Sequence, residues 1–347
     1  MSSKHTDVEN QVLNVYRRVL PSVRAIEDPQ IFEDYFRQRK NIFSLLQIHP
    51  WMIQGKRVLD IGGGTGENSV IFSLLGGEVT LVDPNEIALE RAQGLFKKFN
   101  QEFRSIHKSL FDLSPSETDF DIVICEGVLH HTYDPLVGLE KVCSLLRPGC
   151  LLIVAMDETS GCYKRELQRL AVRSGNPSEK EIVDRSRVYF REHLDRAIKF
   201  GLRDEKTVIY DQFVNPQIKT SSVESILEIF KTNNVVHHSA FPSLRNPFDL
   251  RPFNIARTDY FDYESHRDWF DFLKKCWIVS GGDSETSVFE KIMGITHDKI
   301  SWIESEINVL EKLRSNILAN NFHIKDLKPI QKGYLGIGMN YFVGIKK

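Results

Sequence analysis

The sequence predicts an α/β protein built on a doubly wound, mostly parallel, Rossmann-like sheet of seven strands. Between about residues 55 and 156, short apolar strands alternate with amphipathic helical segments. The strands are apolar on both faces, which is typical of a parallel sheet covered by helices on each side. A glycine-rich stretch, Gly62 to Gly66, comes directly after the first of these strands. We therefore expect an α/β core with a glycine-rich loop after its first strand, preceded by a helical segment and followed by large helical insertions.

The core elements are predicted in chain order. Strands are expected at "RVLDI", "EVTLVD", "FRSIHKSL", "FDIVICEG" and "CLLIVAM", and helices at about 67–76, 85–98 and 135–146. The last helix has a clear start, because Asp134 is a good N-cap and Pro135 suits the first helical position. It ends at "RPG", before the next strand. Residues 55–156 are thus predicted to form the core domain.

The flanking regions differ from the core. Residues 1–54 look mostly helical. Residues 157–335 predict a helical cap with helices near 163–173, 178–200, 222–232 and 299–320 and one further core strand at about 234–241. Residues 336–347 end in the apolar run "NYFVGIKK", which predicts a last strand of the core sheet. The apolar stripe of 299–320 indicates packing within the cap or a dimer contact, so a homodimer stays open.

Composition and charge argue against several kinds of partner. The chain has 347 residues, 41% of them hydrophobic, and a net charge of −2, so no positive excess favours a nucleic acid. The five cysteines are scattered without a CxxC pair, which argues for a reducing compartment and against a zinc site. No apolar run approaches the roughly 20 residues of a membrane span. We expect a cytoplasmic protein with no membrane span and no metal.

Acidic side chains stand at or beside the ends of four predicted strands: Asp60, Asp83, Asp112 and Glu126. In an open parallel sheet, ligands bind at the carboxyl ends of the strands, where the strand order reverses. A dinucleotide would place its pyrophosphate beside Asp60, and one such repulsion at about 5 Å is worth on the order of 3 kcal/mol. We therefore expect a ligand with a cationic end and a nucleoside end. An NAD-dependent oxidoreductase is the weakest alternative.

S-adenosylmethionine has both features. Its sulfonium and ammonium groups would lie near the glycine loop, which contains Gly62, Gly64 and Gly66. Asp83, at the end of "EVTLVD", suits a carboxylate that accepts hydrogen bonds from both ribose hydroxyls. Asp112 is placed to meet the adenine amine. The cofactor predicted from these residues is S-adenosyl-L-methionine.

The motifs resemble one family. "VLDIGGGTG", "VTLVDP", "SLFDL", "FDIVICEGVLHHTYDP" and "LLRPGCLLIV" follow the order and spacing of the class I S-adenosylmethionine-dependent methyltransferases. The chain looks most like the bacterial-type group that includes quinone-biosynthesis methyltransferases, here with an enlarged C-terminal cap. The resemblance covers residues 55–156. Gly63 departs from it, where Cys or Ser is frequent, as does Cys150, which replaces the second glycine of "PGG".

The resemblance implies roles around the methionine end of the cofactor. Gly62 and Gly64 let the backbone approach it, within a loop that Gly66 completes. Asp60 fixes this loop or meets the ammonium group. Glu126 lies where the sulfonium side of the cofactor faces the acceptor.

The resemblance also implies roles at the nucleoside end. Asp83 binds the ribose, and Phe111 with Asp112 frames the adenine.

Catalysis needs few groups, because methyl transfer is an in-line displacement in which positioning supplies most of the acceleration. For a hydroxyl or carbon acid, a neutral histidine near the end of the fourth strand can take the proton. His131 is the first choice, with Tyr210, Asp211 and His238 as alternatives. We expect His131 to face the pocket and His130 to pack against the sheet.

The enlarged cap predicts an enclosed site for a small or medium-sized acceptor, with O-methylation favoured. "CEGV" stands where enzymes that methylate a nucleobase amine have an Asn/Asp-Pro-Pro-aromatic tetrad. Two alternatives stay open. One is a methyltransferase that acts on tRNA or a protein side chain, and the other is a non-catalytic cofactor-binding or scaffold protein.

Overall fold

A computed structural model gives the structure of the chain and describes residues 3–19, 28–115, 119–245, 263–280, 297–331 and 339–347. The described residues fall into two compact units. The first is drawn from residues 1–157, 216–265 and 340–347, and the second from residues 158–215 and 266–339. The domain boundaries expected from the sequence, 1–54, 55–156, 157–335 and 336–347, stay a prediction.

A mostly parallel sheet forms the centre of the first unit. Its strands are β1 (Arg57–Ile61), β2 (Glu78–Val82), β3 (Phe103–Ile106), β4 (Ile122–Glu126), β5 (Leu151–Asp157), β6 (Val235–Phe241) and β7 (Met339–Lys346). Within the described residues the sheet has seven strands in the order β3-β2-β1-β4-β5-β7-β6. β1 pairs in parallel with β2 and β4, β2 with β3, and β4 with β5, whereas β6 and β7 are antiparallel. The predicted fold class is confirmed.

Helices occupy most of the remaining described residues. In chain order they are α1 (Ser3–Arg18), α2 (Pro29–Leu45), α3 (Glu67–Leu74), α4 (Glu86–Lys98), α5 (Pro135–Ser144), α6 (Tyr163–Arg173), α7 (Glu179–Tyr189), α8 (Arg191–Gly201), α9 (Glu205–Ile209), α10 (Val223–Thr232), α11 (Arg267–Val279) and α12 (His297–Leu318). Across the part of the chain that the structure describes, none of them has the length and apolar character that crossing a membrane requires.

The start of α5 follows the sequence signals. The side chain of Asp134 accepts hydrogen bonds from the backbone N–H groups of Leu136 and Val137, at 2.9 and 3.3 Å. These bonds satisfy two of the backbone donors that a helix leaves unpaired at its start. The predicted cap at this position is confirmed.

The third strand is shorter than the segment "FRSIHKSL" predicts. β3 ends at Ile106, and a 3₁₀ turn follows at Leu110–Asp112. The turn begins because the side chain of Ser109 accepts a hydrogen bond from the backbone N–H of Phe111, at 3.3 Å. β3 is also the edge strand, so it has a neighbour on one side only. The chain therefore leaves the sheet early.

The second unit corrects one helix. The predicted helix over 178–200 is two helices, α7 and α8, separated at Phe190, whose φ is −131° and ψ is 37°. The Phe190 side chain is fully buried and its ring lies parallel to that of Phe213, with centroids 6.1 Å apart. Burial of this ring in the apolar core of the unit compensates for the helical hydrogen bonds lost at the break.

The apolar stripe of α12 packs inside the second unit. Leu310, Leu313 and Ile317 are buried in the same cluster as Leu167 and Phe190. Packing within the cap therefore accounts for this part of the stripe, and a dimer contact is not needed to explain it.

Candidate functional site

The centre of the sheet contains a topological switch point. β1 and β4 are neighbours, with Asp60 paired to Ile124, and the strand order runs outward from them in opposite directions. Loops that leave two such strands diverge and open a crevice at their carboxyl ends. The glycine loop follows β1, and β4 ends at Glu126. The fold therefore brings Asp60, the glycine loop and Glu126 to one place.

Two glycines of this loop have different physical reasons to be glycine. Gly62 has a φ of +71°, and a Cβ there would lie 2.4 Å from Cγ2 of Val128, so the loop packs directly on the segment after β4. Gly64 has a φ of +55°, but a Cβ there would meet no atom within 4 Å. The backbone at Gly64 thus borders open space. Gly66, in the left-handed region, is the N-cap of α3.

Asp60 is buried beneath this loop. Its carboxylate accepts a hydrogen bond from the hydroxyl of Ser69 in α3, at 2.5 Å. Burial, together with the nearby charges of Glu126 and Asp83, raises the pKa of Asp60 to about 7, although the Ser69 bond and Arg39 act in the opposite direction. Of the two roles expected from the sequence, this geometry favours fixing the loop.

Asp83 connects the end of β2 to the glycine loop. One carboxylate oxygen accepts from the backbone N–H of Gly64 at 2.9 Å, and the other accepts from the N–H of Asn85 at 2.8 Å. Burial raises the pKa of Asp83 to about 6, even though both backbone bonds lower it. A carboxylate oxygen can accept more than one hydrogen bond, so Asp83 can still receive ribose hydroxyls.

Phe111 and Asp112 lie in the 3₁₀ turn after β3. Phe111 is half-buried and Asp112 is exposed. Their expected contact with an adenine stays a prediction.

Glu126 is paired with a buried arginine of α2. The guanidinium of Arg39 donates to both carboxylate oxygens of Glu126, at 2.8 Å each. The amide of Asn68 in α3 donates to the same carboxylate at 3.2 Å, and the hydroxyl of Tyr35 donates to the amide oxygen of Asn68. Arg39 also donates to the hydroxyl of Tyr341 at 3.3 Å.

His131 is held by a hydrogen bond at each ring nitrogen. Nδ1 lies 2.8 Å from the backbone carbonyl oxygen of Gln217, and Nε2 lies 2.8 Å from the hydroxyl of Tyr16 in α1. His131 as a whole is 9% exposed to solvent. His131 is therefore an anchored group whose Nε2 already has a partner.

His130 lies in the 3₁₀ turn Leu129–His131 that follows β4, and its side chain points to the end of β5. Its side chain is buried, and Nδ1 is 3.8 Å from a carboxylate oxygen of Asp157, the last residue of that strand. The two histidine rings are 4.2 Å apart. This position agrees with the expected packing of His130 against the sheet.

The alternatives to His131 lie elsewhere. Tyr210 and Asp211 belong to the second unit, where the Tyr210 hydroxyl donates to Glu179 at 2.9 Å and Asp211 forms an ion pair with Arg203 at 2.8 Å. His238 is half-buried on β6 of the first unit. Catalytic roles for these three residues stay predictions.

The charge balance of the crevice fits a cationic ligand. The described residues bring three acids, Asp60, Asp83 and Glu126, to this edge, and the buried cation among them is Arg39. Burial is the main cause that raises the pKa of Asp60 and of Asp83, and for Asp60 the nearby charges of Glu126 and Asp83 act in the same direction. These features define a class: an α/β protein with a switch-point site for a nucleoside ligand that carries positive charge.

Comparison with known families agrees with this class. A family model described as a methyltransferase domain matches residues 34–199. The ubiquinone biosynthesis O-methyltransferase of Xanthomonas campestris pv. campestris is 34% identical over 115 residues, which are 32% of this chain and 47% of that protein. The protein of the same name from Aromatoleum aromaticum is 36% identical over 98 residues, 28% of this chain and 42% of that protein. The chain thus spans less than half the length of these relatives.

Solved structures show weaker similarity. Magnesium protoporphyrin IX methyltransferase from Synechocystis PCC 6803 with bound SAM has a TM-score of 0.38 and 15% identity, over 68% of this chain and 84% of that one. PKMT2 from Rickettsia typhi in complex with AdoHcy has a TM-score of 0.45 and 17% identity, over 64% and 47%. The family match over residues 34–199 and the similarity to the curated relatives support a class I S-adenosylmethionine-dependent methyltransferase, a family whose cofactor is S-adenosylmethionine. The resemblance and the predicted cofactor are confirmed.

Sequence reasoning missed Tyr16, Arg39 and Asn68. Arg39 lies 87 residues before its partner Glu126, and Tyr16 lies 115 residues before His131. Neither residue lies within one of the motifs that were recognisable in the sequence. The position of Arg39 in α2 was a signal that could have found it. Arg39 lies on the buried face of the helix with Phe32 and Phe43, where an arginine is unusual.

Proposed function

We propose that this chain transfers the methyl group of S-adenosylmethionine to a hydroxyl group of a small or medium-sized acceptor. The observation that carries the proposal is the crevice in which the open backbone at Gly64 meets Asp60, Asp83 and the Arg39–Glu126 pair. The names of the curated relatives, which are O-methyltransferases, support a hydroxyl acceptor.

Residues of this chain can hold each part of the cofactor. S-adenosylmethionine supplies an electrophilic methyl group on a positively charged sulfur. Asp83 would accept the ribose hydroxyls, and Phe111 with Asp112 would frame the adenine. Within the described residues, Nε of Arg39 is buried and has no hydrogen-bond partner, and the carboxylate of the methionine portion would supply the acceptor that this N–H lacks.

The acids serve the same ligand electrostatically. Burial makes the negative charge of Asp60 costly, and the nearby charge of Glu126 adds repulsion. A positively charged sulfonium near these two residues would reduce that repulsion. A pyrophosphate at this loop would add to that repulsion instead. The chain therefore favours S-adenosylmethionine over NAD.

Binding is tested by calorimetric titration with S-adenosylmethionine, S-adenosylhomocysteine and NAD. We expect the two adenosyl ligands to bind and NAD to give no heat. Tighter binding of NAD than of either adenosyl ligand would overturn the cofactor assignment.

The acceptor class is tested with methyl-tritiated S-adenosylmethionine and a bacterial extract separated into metabolite, RNA and protein fractions. We expect label in the metabolite fraction, in a product stable to the conditions that hydrolyse methyl esters. Label in RNA or protein would establish the macromolecular alternative. Cofactor binding without label in any fraction would favour a non-catalytic role.

We also propose that the protein functions in the cytoplasm. All five cysteines are free thiols, and all are buried. Persistent free cysteines are typical of a reducing compartment. Fractionation of source cells with an antibody tests the location, and size-exclusion chromatography with light scattering tests whether the chain forms a homodimer.

A further inference from the structure

We propose that Tyr16 takes the proton of the acceptor hydroxyl and that His131 receives the proton of Tyr16. This inference rests on the proposed function, because it needs a hydroxyl acceptor. It replaces the simpler expectation that His131 contacts the acceptor itself. In this proposal Tyr16 contacts the acceptor and takes its proton, whereas His131 contacts Tyr16 and not the acceptor.

The hydrogen bonds of His131 determine which of its nitrogens carries the proton. The partner of Nδ1 is the carbonyl oxygen of Gln217, which can only accept. Nδ1 must therefore carry a hydrogen. In a neutral imidazole the other nitrogen, Nε2, is then an acceptor, and the hydroxyl of Tyr16 must donate to it. The hydrogen bond from Tyr16 to Nε2 of His131 therefore has the direction in which the proposed proton transfer runs.

The segment that carries His131 packs against the glycine loop, where the cofactor is proposed to bind. Val128, three residues before His131, packs on Gly62 of the glycine loop. Tyr16 approaches from α1, which is also tied to the cofactor side of the crevice by the ion pair of Arg17 with Glu86 at 3.0 Å. Tyr16 is half-buried, and its hydroxyl is in contact with Nε2 of the buried His131. In the proposed arrangement, the acceptor hydroxyl approaches the oxygen of Tyr16 from the crevice.

The anchoring of His131 explains why it does not contact the acceptor directly. Its Nε2 is 2.8 Å from the Tyr16 hydroxyl, and the residue is buried. A substrate hydroxyl would have to displace Tyr16 to reach that nitrogen. The proposal therefore assigns the contact with the acceptor hydroxyl to the oxygen of Tyr16.

The proposed step balances. The acceptor oxygen forms a bond to the methyl carbon as the bond from that carbon to sulfur breaks, and its electron pair remains on sulfur. The acceptor proton moves to the oxygen of Tyr16, and the proton of Tyr16 moves to Nε2 of His131. The resulting imidazolium keeps its Nδ1–H bond to the carbonyl of Gln217. The products are a methyl ether, S-adenosylhomocysteine and one proton, which His131 releases to solvent.

The first test compares acceptors of different acidity. The probes are catechol, which is neutral at pH 7.5, and 4-nitrocatechol, which is ionised at that pH and needs no base. With Tyr16→Phe we expect kcat for catechol to fall by about 100-fold. We expect the rate with 4-nitrocatechol to change by less than about 3-fold, since no proton has to be removed. The Kd for S-adenosylhomocysteine should stay within about 2-fold, because a cofactor contact is not lost.

Two further variants serve as controls. Arg17→Gln weakens the attachment of α1 but keeps the Tyr16 hydroxyl, so it should leave the catechol rate nearly unchanged. His131→Asn should reproduce the acidity-dependent defect of Tyr16→Phe, and the double variant should be no slower than either single variant. Equal defects with both catechols, or the same loss in Arg17→Gln, would mean that Tyr16 has only a structural role.

The second test does not depend on turnover. Long-range ¹H–¹⁵N spectra of imidazole-labelled protein, with His131 assigned by its loss in His131→Asn, report which ring nitrogen carries the proton. We expect the Nδ1–H tautomer and a change in the Nε2 shift in Tyr16→Phe. An Nε2–H tautomer would overturn the proposed relay. Failure of the proposed function is separate, because it would show in the wild type as no methylation of any hydroxyl compound.

Discussion

Arg39 and Glu126 form a bidentate ion pair in the interior of the first unit, with side chains that are 4% and 3% exposed. The pair joins α2 to the end of β4, so it connects a helix outside the glycine motifs to the centre of the site. A buried pair of this kind is costly to break, because removal of one partner leaves the other charge without compensation.

Arg39→Leu should lower the free energy of unfolding by about 3–5 kcal/mol, because Glu126 would remain buried without its partner. Urea denaturation measures this loss. The double variant Arg39→Leu/Glu126→Leu should recover at least half of it, since both charges are then absent. A loss below about 1 kcal/mol in the single variant would show that solvent reaches Glu126 and that the pair is not closed.

Asp60→Asn should stabilise the cofactor-free protein, and more at pH 8 than at pH 5. The pKa of Asp60 is raised to about 7, so between pH 4 and 7 the native state binds more protons than the unfolded state. Stability from this group therefore falls as pH rises through that window. Asparagine removes the effect, and we expect the gain in free energy of unfolding to be larger at pH 8 by on the order of 2 kcal/mol.

Ser69→Ala is the companion variant for the same carboxylate. Loss of the Ser69 hydroxyl removes a hydrogen bond that lowers the pKa of Asp60, so this variant should be destabilised more at pH 8 than at pH 5. Thermal unfolding of the wild type and of each variant, at pH 5 and at pH 8, measures these changes in stability. Identical effects of Asp60→Asn at pH 5 and pH 8 would contradict the raised pKa.

Gly62→Ala and Gly64→Ala should have different consequences, although both residues have a positive φ. The new methyl group at position 62 would lie 2.4 Å from Val128, so we expect this variant to lose stability by about 2–4 kcal/mol. Val128→Ala in the same chain should restore the steric part. At position 64 the methyl group meets open space, so the larger effect there should be on the Kd for S-adenosylhomocysteine. The reverse pattern would place the ligand at Gly62.

Asp83→Ala should weaken binding of S-adenosylhomocysteine by about 2–4 kcal/mol, because charge-assisted hydrogen bonds to the ribose hydroxyls would be lost. Calorimetry measures the affinity, and circular dichroism verifies that the variant is folded. The 2′,3′-dideoxy analogue of the ligand is the control, since it should bind wild type and variant equally. If Asp83→Ala weakens the analogue as much as the parent, Asp83 acts through its bond to Gly64 and not through the ribose.

The core was predictable from local patterns. Alternating apolar strands and amphipathic helices from residue 55 to 156 correspond to β1 through β5 with α3, α4 and α5 between them. The pattern could not show that the helix expected over 178–200 breaks at Phe190. Helical periodicity continues through that residue, and the break is favoured by burial of its ring in the apolar core of the second unit, where it stacks on Phe213.

The sequence by itself determined the acids of the site, because parallel strands place their carboxyl ends at one edge. Asp60, Asp83 and Glu126 could therefore be grouped from their positions at strand ends alone. Only the tertiary structure decided that Arg39 neutralises Glu126 and that Tyr16 occupies Nε2 of His131. Arg39 and Tyr16 lie 87 and 115 residues before their partners, and which side chains of α1 and α2 reach the crevice depends on how each helix packs. That packing is a property of surfaces distant in sequence, so local periodicity carries no record of it.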